Sequence, residues 1–252
     1  MRRYMAMLLL AGLGWMMGVP VARAQEKERL RVEVEAGPVW QLRNDVRVPG
    51  DSGTRFALDS LTGSGPAFAA RAYLTVATGP KKEVRLLFAP LSIAGTGSLH
   101  TPVHFAGASY AAGVPTRGWY RFNSYRATYR WVWRDRESFR LWGGPTLKIR
   151  DARISLRQGS TSSSKSNVGV VPLLNVRGEW KLAPGWQVVA DLDGLTAPQG
   201  RALDLALTLQ RQLPGGYRAA LGYRVLEGGA DNDEVYAFAW LHYAVLSLSR
   251  GF

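Results

Sequence analysis

Apolar and polar residues alternate with a period of two along most of this chain, and no other feature limits the fold as much. Leu30, Val32, Val34, Ala36, Pro38, Trp40 and Leu42 make one face of the first run, and Arg31, Glu33, Glu35, Gln41 and Arg43 make the other. Leu203, Leu205, Leu207 and Leu209 alternate with Asp204, Thr208 and Gln210. Tyr217, Ala219, Leu221, Tyr223 and Val225 alternate with Arg218 and Arg224. Helical spacing would scatter these arginines around a cylinder, whereas strand spacing puts them on one side. Ten such runs are visible, at 30–43, 66–77, 83–95, 119–133, 138–156, 168–182, 185–193, 200–213, 216–227 and 234–250. The chain therefore reads as all-β, with no linker or second domain.

Composition narrows the class further. The 252 residues include no cysteine, which excludes a disulfide scaffold, thiolate metal sites and a cysteine nucleophile. A hydrophobic content of 46% excludes a disordered chain. No internal run of twenty apolar residues exists, so helical spans are excluded too. The first residues have the layout of a secretory signal peptide: basic Arg2 and Arg3, an apolar Met5 to Met17, and the small-x-small site Ala22-Arg23-Ala24 before Gln25. The expected organisation is a cleaved signal peptide over 1–24 and one β domain over 25–252. The formal charge is +13, and cleavage would remove three arginines. In an exported chain without a basic helix or stacking motif, that charge does not point to nucleic acid.

The links between runs alternate in length. Thr78 to Lys82, Arg134 to Glu137, Ala183 to Gly185 and Pro214 to Gly216 are short, with turn residues or charged tips. Longer links are expected at 44–65, 96–118, 157–167, 194–199 and 228–233, the third being the polar run Gly159 to Asn167. Trp131, Trp133, Phe139, Trp180, Trp186 and Tyr217 lie on the apolar phase beside short turns, as in an aromatic girdle at a water–lipid interface. Trp40 and Trp119 are candidates for the opposite girdle. The chain ends in Phe252 after an alternating run from Tyr236. With the export signal and the even strand count, this pattern resembles that of bacterial outer-membrane β-barrel proteins. The resemblance implies a single antiparallel transmembrane barrel in the outer membrane. It has ten strands, or eight if 66–77 and 185–193 are loop. The resemblance also implies that Phe252 serves as an assembly signal for the barrel-assembly machinery, although Arg250 replaces an aromatic common in that family two residues before the end. Lipid and lipopolysaccharide are the implied partners along the wall.

With apolar faces outward, the lumen receives Arg31, Arg43, Arg71, Arg85, Arg126, Arg130, Arg140, Lys148, Arg177, Lys181, Arg218 and Arg224. Glu33, Glu35, Glu179, Asp191, Asp193 and Asp204 join them. Twelve cations against six acids predict ion pairs with a surplus of arginine. Ten strands lie near the size at which side chains fill the interior. A salt-bridged, largely filled lumen is the leading expectation, and a narrow anion-leaning pore is the alternative.

Catalytic signals are weak. His100 and His104 fall in a long link interrupted by Pro102. His242 falls on the lipid phase of the last run unless a bulge flips it or it lies near a rim. No Asp-x-His pair of the omptin kind exists, and no nucleophile, base and orienting group can be assembled. The acids Glu227, Asp231, Asp233 and Glu234 lack calcium-loop spacing and read as solvated groups or partners of Arg224. No cofactor or metal is expected. The leading function is a non-enzymatic outer-membrane protein acting through its long surface loops, whose ligand the sequence does not identify. A narrow transport pore comes second, and a lipid- or peptide-modifying enzyme third.

Overall fold

The structure is a computed structural model that describes residues 28–252. The expected signal peptide lies outside the described residues. Each alternating run forms a strand, because only a strand sends its aliphatic and charged residues to opposite faces. In chain order the elements are β1 (Leu30–Arg47), β2 (Phe56–Ala57), α1 (Asp59–Thr62), β3 (Ala67–Gly79), β4 (Lys82–Ala89), β5 (Ser92–Ser98), β6 (Val103–Phe105) and β7 (Ala108–Tyr110). They continue with β8 (Pro115–Asp135), β9 (Phe139–Gln158), β10 (Thr161–Ala183), β11 (Trp186–Ala197), β12 (Gly200–Gln212), β13 (Tyr217–Asn232) and β14 (Val235–Gly251). Successive strands pair antiparallel, and β14 pairs with β1 to close the sheet. β4 and β5 both pair with β8 and form one stave interrupted at Pro90, which has no N–H to give the ladder. The barrel thus has ten staves. The runs at 66–77 and 185–193 are β3 and β11, so the eight-strand alternative is set aside.

The barrel is inside-out. Val34, Leu147, Leu174, Leu207 and Leu246 are exposed on the wall, while Glu35, Arg71, Arg126, Arg177, Asp204 and Arg224 are buried within. Such a wall is stable only against an apolar solvent. Trp131, Trp133, Trp180 and Trp186 are exposed on the wall beside the short turns, and Phe139 packs against Trp180 with ring centroids 5.0 Å apart. At the same end Arg250 lies 5.0 Å over the Tyr217 ring and 4.8 Å over that of Phe252. A guanidinium here covers the aromatic faces and keeps its charge near water.

His242 faces the outer wall, because β14 runs without a bulge. Eight residues separate it from Arg250, about 20 Å at the usual rise and strand tilt. It therefore sits near the far edge of the apolar band, hydrogen-bonded to Tyr223 and 5.5 Å from the Trp240 ring. Trp40 lies opposite it on β1. Trp119 is exposed on the outer face of β8 between Arg117 and Arg121, with the Arg117 guanidinium 4.1 Å from its ring.

Three expected long links are tight hairpins. Gln158 pairs with Thr161, Ala197 with Gly200 and Asn232 with Val235. The Ser/Thr run at 160–166 is therefore mostly strand. Alternation there is polar on both faces, so its hydrophobic pattern vanishes while the backbone ladder continues. Tyr110 and Lys165 brace this hairpin, the first to Ser163 at 2.7 Å and the second to Glu234 at 3.0 Å.

Candidate functional site

The lumen is filled in two layers of different chemistry. The lower layer, toward the short turns, is ionic. The Asp204 carboxylate accepts hydrogen bonds from Arg71 at 3.1 Å, Arg126 at 2.6 Å and Arg224 at 2.5 Å. Glu35 accepts two from Arg224, at 2.7 and 3.0 Å, and lies 3.8 Å from Arg71. Asp191 gathers Arg85 at 2.5 Å, Arg177 at 3.0 Å and Arg130 at 3.6 Å. Asp193 takes Arg126 at 2.8 Å, and Glu179 takes Arg177 at 2.8 Å. Glu83 pairs with Arg130, which is 2% exposed, and Glu33 lies 3.6 Å from Arg85. At the lower mouth Glu28 bridges Arg31 at 3.0 Å and Arg218 at 2.6 Å. Arg140 is exposed on the rim, where it pairs with Asp135 at 3.0 Å.

This layer corrects the expected surplus of cations. Eight arginines meet eight carboxylates in it. Glu28 and Glu83, missing from the sequence-based set, supply two of the acids. Arg43 leaves the lumen because β1 bulges between Gln41 and Arg43, which reverses the phase of every residue after it. Arg43 and Arg55 instead share Asp45 on the outside, at 2.7 and 2.6 Å. Lys181 is exposed. Among the described residues, Lys148 is the one buried cation without an ionic partner, and its ammonium lies 4.8 Å over the Phe122 ring. Glu227 pairs with Arg201 at 2.7 Å and is not a partner of Arg224.

The upper layer is apolar. Val39, Ile93, Tyr120, Ile154, Leu156, Leu226, Leu241 and Val245 point inward from the staves. Leu58 and Leu61, around α1, and Phe56 enter from the first long loop, and Val103, Phe105 and Tyr110 enter from the β6–β7 hairpin. Phe56 and Phe105 meet edge to face at 5.8 Å, joining the two loops. Gln41 fastens α1 through Thr62 at 2.9 Å and the Gly63 carbonyl at 2.6 Å. α1 lies so close to β5 that a Cβ on Gly95 would sit 2.7 Å from the Leu61 carbonyl oxygen. The two long loops, expected to carry surface interaction, fold into the mouth as caps. Their apolar residues have no period, so only their burial identifies them. A cavity of about 10 Å³ remains at the seam, lined by Arg71, Ser124, Leu91 and Tyr243, with room for about one water.

His104 lies exposed on the cap, 3.3 Å from Ser109, and His100 is exposed nearby. The structure does not bring either beside His242. Among the described residues no group of three or more His, Asp or Glu could hold a metal ion. A shallow recess of about 230 Å³, lined by Arg43, Arg201, Glu227, Phe238 and Trp240, lies on the outer wall and not in the lumen.

The structure is similar to that of the outer-membrane protease OmpT from Escherichia coli, with a TM-score of 0.55 and 10% identity over 88% of this chain and 96% of that one. The translocator domain of the autotransporter NalP from Neisseria meningitidis aligns at 0.44 and 11% identity, over 89% of this chain and 88% of that one. Ail of Yersinia pestis, solved with the heparin analogue sucrose octasulfate, aligns at 0.39 and 10% identity, over 87% and 99%. No protein family and no curated protein matches the sequence. The chain is a ten-stranded antiparallel β-barrel of the bacterial outer-membrane type.

Proposed function

We propose that this chain is a closed, non-catalytic protein of the bacterial outer membrane, working through its outer wall and surface and not through its lumen. One observation carries this reading: the interior is filled from both ends, by a balanced ion-pair network below and an apolar cap above. A pore would need both of these layers to open. The lower network also pairs each of its eight arginines with carboxylates, which leaves none of them free for a passing anion. In this reading lipid and lipopolysaccharide surround the wall. The exposed Phe252, whose N–H bonds the Leu30 carbonyl at 2.8 Å, marks the strand read by the assembly machinery.

The likeness to OmpT is one of fold. The enzyme alternative would draw on His242, which is hydrogen-bonded to Tyr223 on the lipid-facing wall, or on His100 and His104, exposed on the cap. Planar-bilayer recording of the refolded, inserted protein tests the reading. Silence is expected. Steady current that falls in Arg126→Ala would overturn it and make the arginines a functional ring. A hydrolytic or acyl-transfer activity lost in His242→Ala would overturn the non-catalytic part.

A further inference from the structure

Above the apolar band, β8 and β9 carry an unusual patch on their outer face. Arg117, Trp119 and Arg121 point outward from β8, and Arg153, Ser155 and Arg157 point outward from β9. The register sets Arg117 directly opposite Arg157 and Arg121 directly opposite Arg153. Like charges facing each other across a ladder repel. One acid, Asp151, answers them, bonding Arg121 at 2.8 Å. Arg117, Arg153 and Arg157 make no ion pair among the described residues, and the buried Nε of Arg121 has no hydrogen-bond partner there.

Elsewhere near the upper rim, Arg47 stands singly over the Tyr236 ring at 5.5 Å, and the other outward arginines are paired. Arg43 and Arg55 share Asp45, and Arg201 holds Glu227. The β8–β9 patch is therefore an uncompensated cationic site and not a general property of the rim. Its neighbours add hydroxyls. On β10, Ser162, Ser164 and Ser166 lie opposite Arg157, Ser155 and Arg153. Trp119 stands between the arginines, 40% exposed.

The position of the patch identifies its occupant. The wall directly below is apolar, with Leu147, Ile149, Val168, Val170 and Leu174 exposed. Ile149 pairs with Val170 four residues below Arg153, a separation of about 10 Å at the usual rise and tilt. A ligand that spans both surfaces needs acyl chains and, about 10 Å above them, a sugar-like headgroup bearing negative charge. Guanidinium pairs suit phosphate because their forked donors match its oxygens.

We propose that this face binds a phosphorylated glycolipid of the outer leaflet. Arg121 and Arg153 take a phosphate, Trp119 packs against the sugar, and the serine hydroxyls bond its polar edge. The acyl chains lie along β9 and β10. This assignment rests on the outer-membrane reading above and names the wall site within it.

The test is lipid binding by the refolded full barrel in detergent, read by native mass spectrometry with competition. The probes are bisphosphorylated lipid A, its dephosphorylated form, and a sulfated oligosaccharide without acyl chains. The wild type should prefer the bisphosphorylated lipid at least tenfold over the dephosphorylated one. Arg121→Gln/Arg153→Gln should abolish that preference, and Arg201→Gln, away from the patch, should keep it. Unchanged unfolding midpoints confirm that the variants fold. The exposed single variant Arg157→Gln, expected to lose part of the preference, repeats the test if the double variant does not fold. Absence of any phosphate preference, or its survival in the double variant, would overturn the proposal. So would binding of the oligosaccharide as tight as that of the lipid, which would assign the patch to a soluble anionic glycan. A conducting barrel would refute the closed-lumen reading and leave this result standing.

Discussion

The two halves of the lumen are filled by opposite means. Below, the filling is mainly charged, and eight arginines from the staves are paired with eight carboxylates, seven of them on staves and the eighth, Glu28, just before β1. Above, the filling is aliphatic and aromatic, and about half of the arch is brought in by two loops. The lower layer has a sharp dependence on pairing. Burying ions gains little in net stability, yet removing one partner strands the others. The upper layer has a graded dependence on volume, since apolar packing loses stability with each group removed. A narrow barrel can therefore be closed by strict matching or by ordinary core packing, and this chain uses both.

The largest effect that would test this contrast is expected from Asp204→Ala. It leaves Arg71, Arg126 and Arg224 without their shared carboxylate. A loss of about 3–5 kcal/mol is expected, read as a lower urea midpoint in detergent. A change within error would show that the network is not a matched set. Leu58→Ala, at a fully buried cap position, should cost about 2–4 kcal/mol. Protease should then cut the first loop while the barrel persists, because the staves do not depend on it. A barrel that unfolds with its cap would merge the two layers into one cooperative unit.

A smaller effect is expected from Gly95→Ala, where the new Cβ meets the Leu61 carbonyl oxygen. Overpacking of this kind costs about 1–3 kcal/mol and should again show as a loosened cap. The smallest belongs to the rim pair of Asp135 and Arg140, which is not part of either layer. The hydrogen bond from Arg140 holds the Asp135 carboxyl below its ordinary range, so any stability it gives is present above the unfolded pKa and fades as pH falls through the folded one. Being exposed, the pair should contribute about 0.2–1 kcal/mol, and Asp135→Asn should remove it at neutral pH. An effect as large as that of Asp204→Ala would mean that the ionic layer extends to the rim.

The contrast also explains what the sequence makes legible. Strands, wall and lower lumen follow from a local rule, the alternation of each run, which places Glu35, Asp204 and Arg224 on one side. The cap residues Leu58, Leu61, Phe105 and Tyr110 obey no period, because loops bury side chains one by one through tertiary contacts. A bulge takes Arg43 off the phase that alternation predicts, a one-residue event that cannot be read until the partner strand is known. Glu83 shares the inward phase of Arg85 and is legible from the alternation of its run, whereas Glu28 precedes the first strand and has no phase to read. The hairpin at 158–161 reads as loop because its β10 arm, Thr161 to Asn167, is polar on both faces. The cross-strand arginine pairs of β8 and β9 depend on register, which a single run does not contain.

The most direct test of a doubly closed lumen is single-channel recording on two proteins side by side: the wild type, and a variant whose 50–64 and 100–113 segments are each replaced by a short Gly-Ser link. Both should be silent, the variant because the ionic layer still fills the barrel below its opened cap. Steady ohmic current through the variant would show that the cap alone closes the barrel, and current through the wild type would contradict the filled lumen altogether.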